Sequence, residues 1–459
     1  MNKKVIKNGS LYILGNIFNK AISFITVPIF ARLLTTEEYG IASTYFSWIT
    51  LLSVVIGLSL SSSIRNAIID MSEELGKYIS SIFTLASLNF GIICIIVAVV
   101  INKISIPHPL IWMCIIEGFF NFIVNSIIFK YMMEEEAKKR TLLMVLPNLM
   151  GALLAIALIS VMENDKYYGR VGATCFVTSA FGLSILLYYF IKYRTFVNLK
   201  YWKYAIPISI PLIFHGISNV VLGAADRSII TYYCGASDTG IYSLIYNLSM
   251  ASVVITSSAE SVWIPRMTKN LYDKDYRTFH HELLVYIYGV EFVFCGLLTI
   301  SPELVRYIGG VEYMSGFDMV FPIFASAFVL FAYTIYVNVE YFHKKTKMIA
   351  TATIIAAILN IILNFIFIPL YGSVAAAYTT LVSYIVSFIL HSRDAMKIDK
   401  EAVPYKIFII PAIIILVTGV IVSLTKDLIV LRYMIMLFTG TVYAFIILKV
   451  VVKRKYMKF

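Results

Sequence analysis

Charge is scarce in this chain of 459 residues. Only 14% are Asp, Glu, Lys or Arg, while 60% are hydrophobic. A soluble globular domain carries about 25% charged residues, so the deficit excludes an ordinary water-soluble fold. Cysteine is scarce as well. Cys94, Cys114, Cys175, Cys234 and Cys295 stand apart, in or beside apolar runs. They have neither metal-ligand spacing nor the pattern of a disulfide framework. Long polar connections are missing, so no soluble catalytic module is expected outside the apolar runs. Alternation of apolar and polar residues is missing too, which excludes a β-barrel. The basic start, Lys3-Lys4-Val5-Ile6-Lys7, has no small-residue cleavage site after it. It is read as leading into a retained first helix rather than a cleaved signal.

What is present is apolar length. The mean hydropathy is +0.84, and runs of about 20 apolar residues, each long enough to span a bilayer, recur along the chain. They predict an all-α integral membrane protein of about fourteen spans, near 11–31, 41–64, 80–101, 110–130, 141–162, 171–191, 207–233, 240–264, 283–301, 317–340, 347–369, 373–391, 405–424 and 430–450. The net charge of +12 invites a nucleic-acid reading. Its distribution argues against one. With the N-terminus placed in the cytoplasm, 29 of the 38 Lys and Arg fall in cytoplasmic segments and seven in outer loops. That is the asymmetry of the positive-inside rule, and it places both termini in the cytoplasm.

The chain also repeats itself. Gly40-Ile41-Ala42-Ser43 opens the second span and Gly240-Ile241-Tyr242-Ser243 the eighth. Tyr168-Gly169-Arg170-Val171-Gly172-Ala173 opens the sixth and Tyr371-Gly372-Ser373-Val374-Ala375-Ala376 the twelfth. The two offsets, 200 and 203, agree. They predict two six-helix lobes in parallel pseudo-repeat, 1–196 and 197–395, with two further helices and a basic tail in 396–459. Paired lobes of this kind make a transporter the default reading.

Several landmarks look familiar. Val27-Pro28-Ile29-Phe30-Ala31-Arg32-Leu33-Leu34 is followed by Glu38-Tyr39-Gly40. Then come Ala225-Asp226-Arg227, Gly240-Ile241-Tyr242-Ser243 and Trp263-Ile264-Pro265. Leu359-Asn360-Ile361-Ile362-Leu363-Asn364, Ile368-Pro369-Leu370-Tyr371-Gly372 and Ala375-Ala376-Ala377 follow. This series resembles bacterial polysaccharide flippases of the multidrug/oligosaccharidyl-lipid/polysaccharide exporter superfamily, across residues 9–390. The resemblance implies a bacterial inner-membrane flippase. Its cargo would be an undecaprenyl-pyrophosphate-linked oligosaccharide for O-antigen or capsule, moved to the outer leaflet by alternating access. A polysaccharide polymerase and chain-length proteins are implied partners, with membrane lipid around them. Many members are assigned twelve spans, so fourteen is a departure. The last two spans would offer a groove for the lipid tail, as in related lipid flippases.

The candidate residues are those that a wet path for such a cargo needs. Pyrophosphate calls for fixed positive charge, and Lys20, Arg32, Arg65 and Arg227 stand in or near spans. Tyr12, Asn16, Asn19 with Lys20, and Ser23 make a polar stripe at helical spacing on span 1. Gly216, Asn219 and Gly223 lead to the Asp226–Arg227 pair on span 7, which the repeat makes the counterpart of span 1. Arg65 is expected at the inner end of span 2, below Ser53, Gly57 and Ser61. Arg32 and Arg65 can equally be interfacial residues that snorkel. Asn360 and Asn364, four apart, suit either sugar hydroxyls or helix-to-helix bonding. Glu117, Asp226, Glu260 and Glu291 are candidates for H⁺ or Na⁺ coupling or for charge partners, and Glu340 for an interfacial acid. Pro28, Pro207, Pro211, Pro265 and Pro322 are candidate bends. No metal or organic cofactor is expected.

Three other readings compete: a cation-coupled multidrug or metabolite antiporter of the same superfamily, a membrane-embedded polysaccharide enzyme, and a scaffold. The enzyme is disfavoured because no long outer loop exists and His215 has no acid at helical spacing. The scaffold is disfavoured by the in-span charges Lys20 and Arg227.

Overall fold

The computed structural model describes residues 3–104 and 106–456. Every described regular element is helical. The long helices are α1 (Lys3–Leu33), α2 (Thr36–Ile56), α4 (Leu75–Val100), α5 (His108–Met133), α6 (Ala137–Val161), α7 (Tyr167–Tyr193), α8 (Leu199–Cys234), α9 (Ala236–Tyr272) and α10 (Tyr276–Thr299). They continue with α12 (Val320–Phe342), α13 (Thr346–Tyr371), α14 (Ser373–Ile398), α15 (Ile409–Leu424) and α16 (Ile429–Tyr456). Two short helices, α3 (Ile64–Asp70) and α11 (Ser301–Leu304), lie between them. Each of the expected spans thus has its own helix. Among the described residues, 11 helices are long and apolar enough to cross a membrane, or 12 when the bent α8 counts as one span. This is a multi-pass membrane protein.

Local chemistry sets the boundaries. Thr35 caps α2: its hydroxyl accepts from the Glu38 N–H at 3.2 Å, and the Glu38 carboxylate accepts from the Thr35 N–H at 3.0 Å. This reciprocal box satisfies orphan donors at the helix start. The expected continuation of span 2 to residue 64 is wrong. The helix stops at Ile56, because Leu58 and Ser59 both take the left-handed conformation at φ +50°. A 3₁₀ turn (Leu60–Ser63) and α3 follow. Asn89 of α4 donates to the carbonyls of Val55 and Ile56 at 3.0 and 2.9 Å, closing that helix end. Arg65 therefore sits on α3, not beneath Ser53, Gly57 and Ser61 on one helix.

The prolines fall in different places along their helices. Pro322 lies in the first turn of α12, directly after a 3₁₀ helix over Val311–Met319. In α8 the axis turns by 46° between Leu199–Ser218 and Val220–Cys234, about two turns beyond Pro211. A proline frees the carbonyl four residues before it, so this bend is not the work of Pro207 or Pro211.

Packing divides the chain into two compact units, Met1–Gly240 and Ile241–Phe459. In the first, α1 packs on α6, α2 on α5 and α8, and α7 on α5 and α6. Its core gathers Ile56, Tyr78, Ile82, Phe83, Phe119 and Phe122. In the second, α14 packs on α12 and α13, and α10 on α15 and α16. Its core gathers Phe279, Ile287, Phe328, Phe331 and Tyr336. Contact, not exclusion of water, holds such helices together in lipid.

Candidate functional site

The landmarks of the first unit explain one another. Glu38, besides capping α2, accepts the Lys166 N–H at 2.6 Å. Tyr39 is fully buried. Arg170 lays its guanidinium over the rings of Phe30, Tyr39 and Phe46 at 4.4, 4.8 and 5.2 Å. Gly40 is needed for close approach: a Cβ there would lie 1.8 Å from the Ala236 carbonyl oxygen. A Cβ on Gly240 would lie 1.9 Å from the Thr36 carbonyl oxygen. The two contacts are related by the offset of the repeat, and Thr36 and Ser237 share a hydroxyl bond of 2.8 Å beside them. The equivalent glycines therefore meet each other where α2 and α9 begin.

The expected bases occupy different settings. Lys20 and Arg227 are half-buried, whereas Arg32 and Arg65 are exposed. Arg227 donates to the Gly223 carbonyl of its own helix at 3.3 Å, and the adjacent Asp226 is buried. Asn19 accepts from Asn148 of α6. The side chains of Tyr12, Asn16, His215 and Asn219 lie outside the described residues. α1 lies against α6 and α8 against α2. Glu117 is buried among α2, α5 and α7, accepting the Tyr45 phenol at 2.6 Å and the Thr174 hydroxyl at 3.5 Å.

In the second unit, Asn360 and Asn364 are fully buried and linked at 3.1 Å. Asn360 donates to Thr380 at 3.4 Å, and Asn364 accepts from Thr379. Both partners belong to α14, so these amides bond helix to helix. Glu260 accepts from Asn338 at 2.9 Å. Glu291 is fully buried and accepts the Tyr443 phenol of α16 at 2.6 Å.

Two pairs escaped the sequence reading, one buried on both sides and one with a half-buried carboxylate. Glu340, expected at an interface, is fully buried and bonded to the fully buried His391 at 2.8 Å. Arg432, one of the seven basic residues placed in outer loops, is buried against Glu303, and it also donates to the carbonyls of Thr425 and Lys426 at 2.8 Å each. Partners more than 50 residues apart carry no local spacing signal. A His and a Glu on two helices predicted to be neighbours would have been the only hint.

Between α15, α16 and the end of α10 lies a cavity of about 300 Å³. Its walls are aliphatic and aromatic, including Ile414, Val417, Ile421, Met436 and Phe438, with Arg432 among the lining residues. Among the described residues, no cluster of three or more His, Cys, Asp or Glu could hold a metal ion.

Long apolar helices packed with one another define a multi-span membrane protein fold. The solved inward closed structure of MurJ, a lipid II flippase, has this fold. It aligns with a TM-score of 0.73 at 16% identity, covering 96% of this chain and 99% of that one. The chain belongs to the polysaccharide biosynthesis protein family, whose match spans residues 5–271. It is similar to the capsular polysaccharide biosynthesis protein CapF of Staphylococcus aureus, 23% identical over 84% of this chain and 98% of the relative. It is similar as well to Agl15 of Haloferax volcanii, named as a probable low-salt glycan biosynthesis flippase, 21% identical over 83% and 81%. The resemblance read from the sequence is thereby shown.

Proposed function

We propose that this chain is a flippase that carries a lipid-linked oligosaccharide, of the undecaprenyl-pyrophosphate type, from the cytoplasmic to the outer leaflet of a bacterial inner membrane. The observation that carries the reading is the family match over residues 5–271. The apolar cavity between α15 and α16 supports a lipid-linked cargo over a free sugar, because its walls suit a hydrocarbon tail. Lys20 and Arg227, half-buried on α1 and α8, would meet the pyrophosphate. Asn360 and Asn364 are more simply helix-bonding groups than sugar ligands. Both termini are taken as cytoplasmic, with the basic loops.

The membrane potential favours this direction. Moving one negative charge outward from a negative interior gains about 2.3 kcal/mol per 100 mV. The polymerase and chain-length proteins of the same pathway are the partners this function would need.

The test is deletion of the chain in its source cell, followed by analysis of the lipid-linked sugars. Undecaprenyl-linked oligosaccharide is expected to accumulate while surface polysaccharide falls, and the wild-type chain should reverse both. Unchanged lipid-linked sugars and unchanged surface polysaccharide would overturn the reading.

A further inference from the structure

The pair Glu340–His391 joins a fully buried carboxyl group to a fully buried imidazole. Both side chains have 0% exposure, and they bridge α12 and α14 near the ends of both helices. His391 Nδ1 and Glu340 Oε2 are bonded at 2.8 Å. The other two polar atoms, His391 Nε2 and Glu340 Oε1, have no hydrogen-bond partner among the described residues. Glu291 Oε1, Glu303 Oε2 and Arg432 Nε are likewise left over, but in this pair both left-over atoms belong to groups that can exchange a proton, which a guanidinium does not. Tyr333 stacks on the imidazole at 5.4 Å and 15°, shielding one face.

We propose that Glu340 and His391 form a proton-binding site that exchanges with water during the transport cycle. The inference deepens the flippase reading and rests on it for the word transport. With one proton the pair is neutral, either as imidazolium and carboxylate or as imidazole and carboxylic acid. Release of that proton to water leaves an imidazole and a buried carboxylate, with a net charge of one negative unit. Such a charge is poorly tolerated away from water. Exchange therefore requires water to reach this end of α12 and α14, which ties occupancy of the site to conformation. Histidine is the side chain whose ordinary titration spans about pH 5 to 8.

The titratable neighbours have partners of their own. Tyr333 packs on the pair, with Tyr384 6.0 Å from it. His343 lies 3.9 Å from Asp399, which also accepts from Tyr276. From α10, His280 bonds the carbonyls of Glu401 and Ala402, and Glu282 accepts from Asn270. On α14, Asp394 pairs with Lys397, and Arg393 is exposed. Lys345 and Lys347 at the start of α13, and Lys406 before α15, are exposed.

The test is infrared difference spectroscopy of the full chain in lipid nanodiscs, stepped between about pH 5 and 8, with ring-labelled histidine. A protonated-carboxyl band and an imidazole band should titrate together. Glu340→Gln should abolish the first and His391→Gln the second. If the wild type shows neither a carboxyl band nor an imidazole band of this pair that titrates, the site is a static bridge and the proposal fails. It fails equally if a folded Glu340→Gln protein keeps the carboxyl band. The wild-type spectrum decides even where a variant does not fold.

A second arm measures surface polysaccharide in a deletion strain carrying Glu340→Gln at normal expression. A drop of tenfold or more is expected. Wild-type polysaccharide from Glu340→Gln overturns the coupling alone, whereas a deletion strain with normal polysaccharide overturns the flippase reading instead.

Discussion

Both units hold a buried carboxyl group by a phenol, Glu117 in the first and Glu291 in the second, and the second adds an imidazole and a guanidinium as partners. In the first unit Glu117 is served by hydroxyls, those of Tyr45 and Thr174. In the second, Glu340 meets an imidazole, Glu303 a guanidinium and Glu291 a phenol. A hydroxyl donor can hold a carboxyl group in place but does not take over its charge near neutral pH. An imidazole can share the proton, and a guanidinium fixes the carboxylate as an anion. The contrast separates polar contacts that position helices from contacts that hold or exchange charge. It also orders the expected effects of removing each one.

The largest loss is expected where a fixed charge is stranded. Glu303→Ala leaves the Arg432 guanidinium buried, with only the carbonyls of Thr425 and Lys426. Breaking one partner from a buried ion pair costs about 3–5 kcal/mol. Thermal unfolding of the detergent-solubilised chain, followed by size-exclusion, should show a strongly lowered midpoint. Replacing Glu303 and Arg432 together by Gln and Met should recover much of it. A midpoint equal to wild type in Glu303→Ala would mean that Arg432 is not buried as described.

The glycine contact comes next, and it cuts across the comparison because it is symmetric. Gly40→Ala and Gly240→Ala each put a methyl group under 2 Å from a backbone oxygen. Overpacking of this kind costs about 1–3 kcal/mol. The same assay should rank the two variants within error of each other. A large effect from one and none from the other would break the symmetry of the contact.

How far these features were legible differs by feature. The helices were readable because hydrocarbon demands about 20 apolar residues per crossing and imposes that length on the sequence. The end of α2 was not readable. Leu58 and Ser59 are ordinary residues, and their left-handed turn depends on Asn89 capping from another helix. The importance of Glu38-Tyr39-Gly40 was visible as a landmark, but its cause was not. Glu38 bonds Lys166, Tyr39 lies under Arg170 and Gly40 abuts Ala236, all partners distant in sequence. Glu340 and Arg432 were misread for a related reason. Nearness to a helix end suggested exposure, while burial was decided by His391 and Glu303 on other helices. Asn360 and Asn364 were legible as one face, because spacing of four is local information.

The smallest effects are expected at the hydroxyl-held carboxyl of the first unit. Tyr45→Phe removes the 2.6 Å donor and leaves Glu117 with the hydroxyls of Thr174, at 3.5 Å, and Thr178. An unsatisfied buried group costs about 1–3 kcal/mol, so a moderate fall in the unfolding midpoint is expected. Glu117→Gln is gentler. Its amide oxygen still accepts the Tyr45 phenol, its shape is preserved, and no charge has to be removed from a partner, because the groups bonded to it, Tyr45, Thr174 and Thr178, are hydroxyls. The expected loss is below about 1 kcal/mol, with surface polysaccharide close to wild type. Glu340→Gln is as conservative in shape, yet it should abolish the titrating carboxyl band and lower polysaccharide tenfold. The paired measurement is therefore sharper than either alone. Equal tolerance of both substitutions would erase the distinction between a positioning carboxyl and a proton-exchanging one. If Glu117→Gln proved the more damaging, the exchanging site would belong to the first unit.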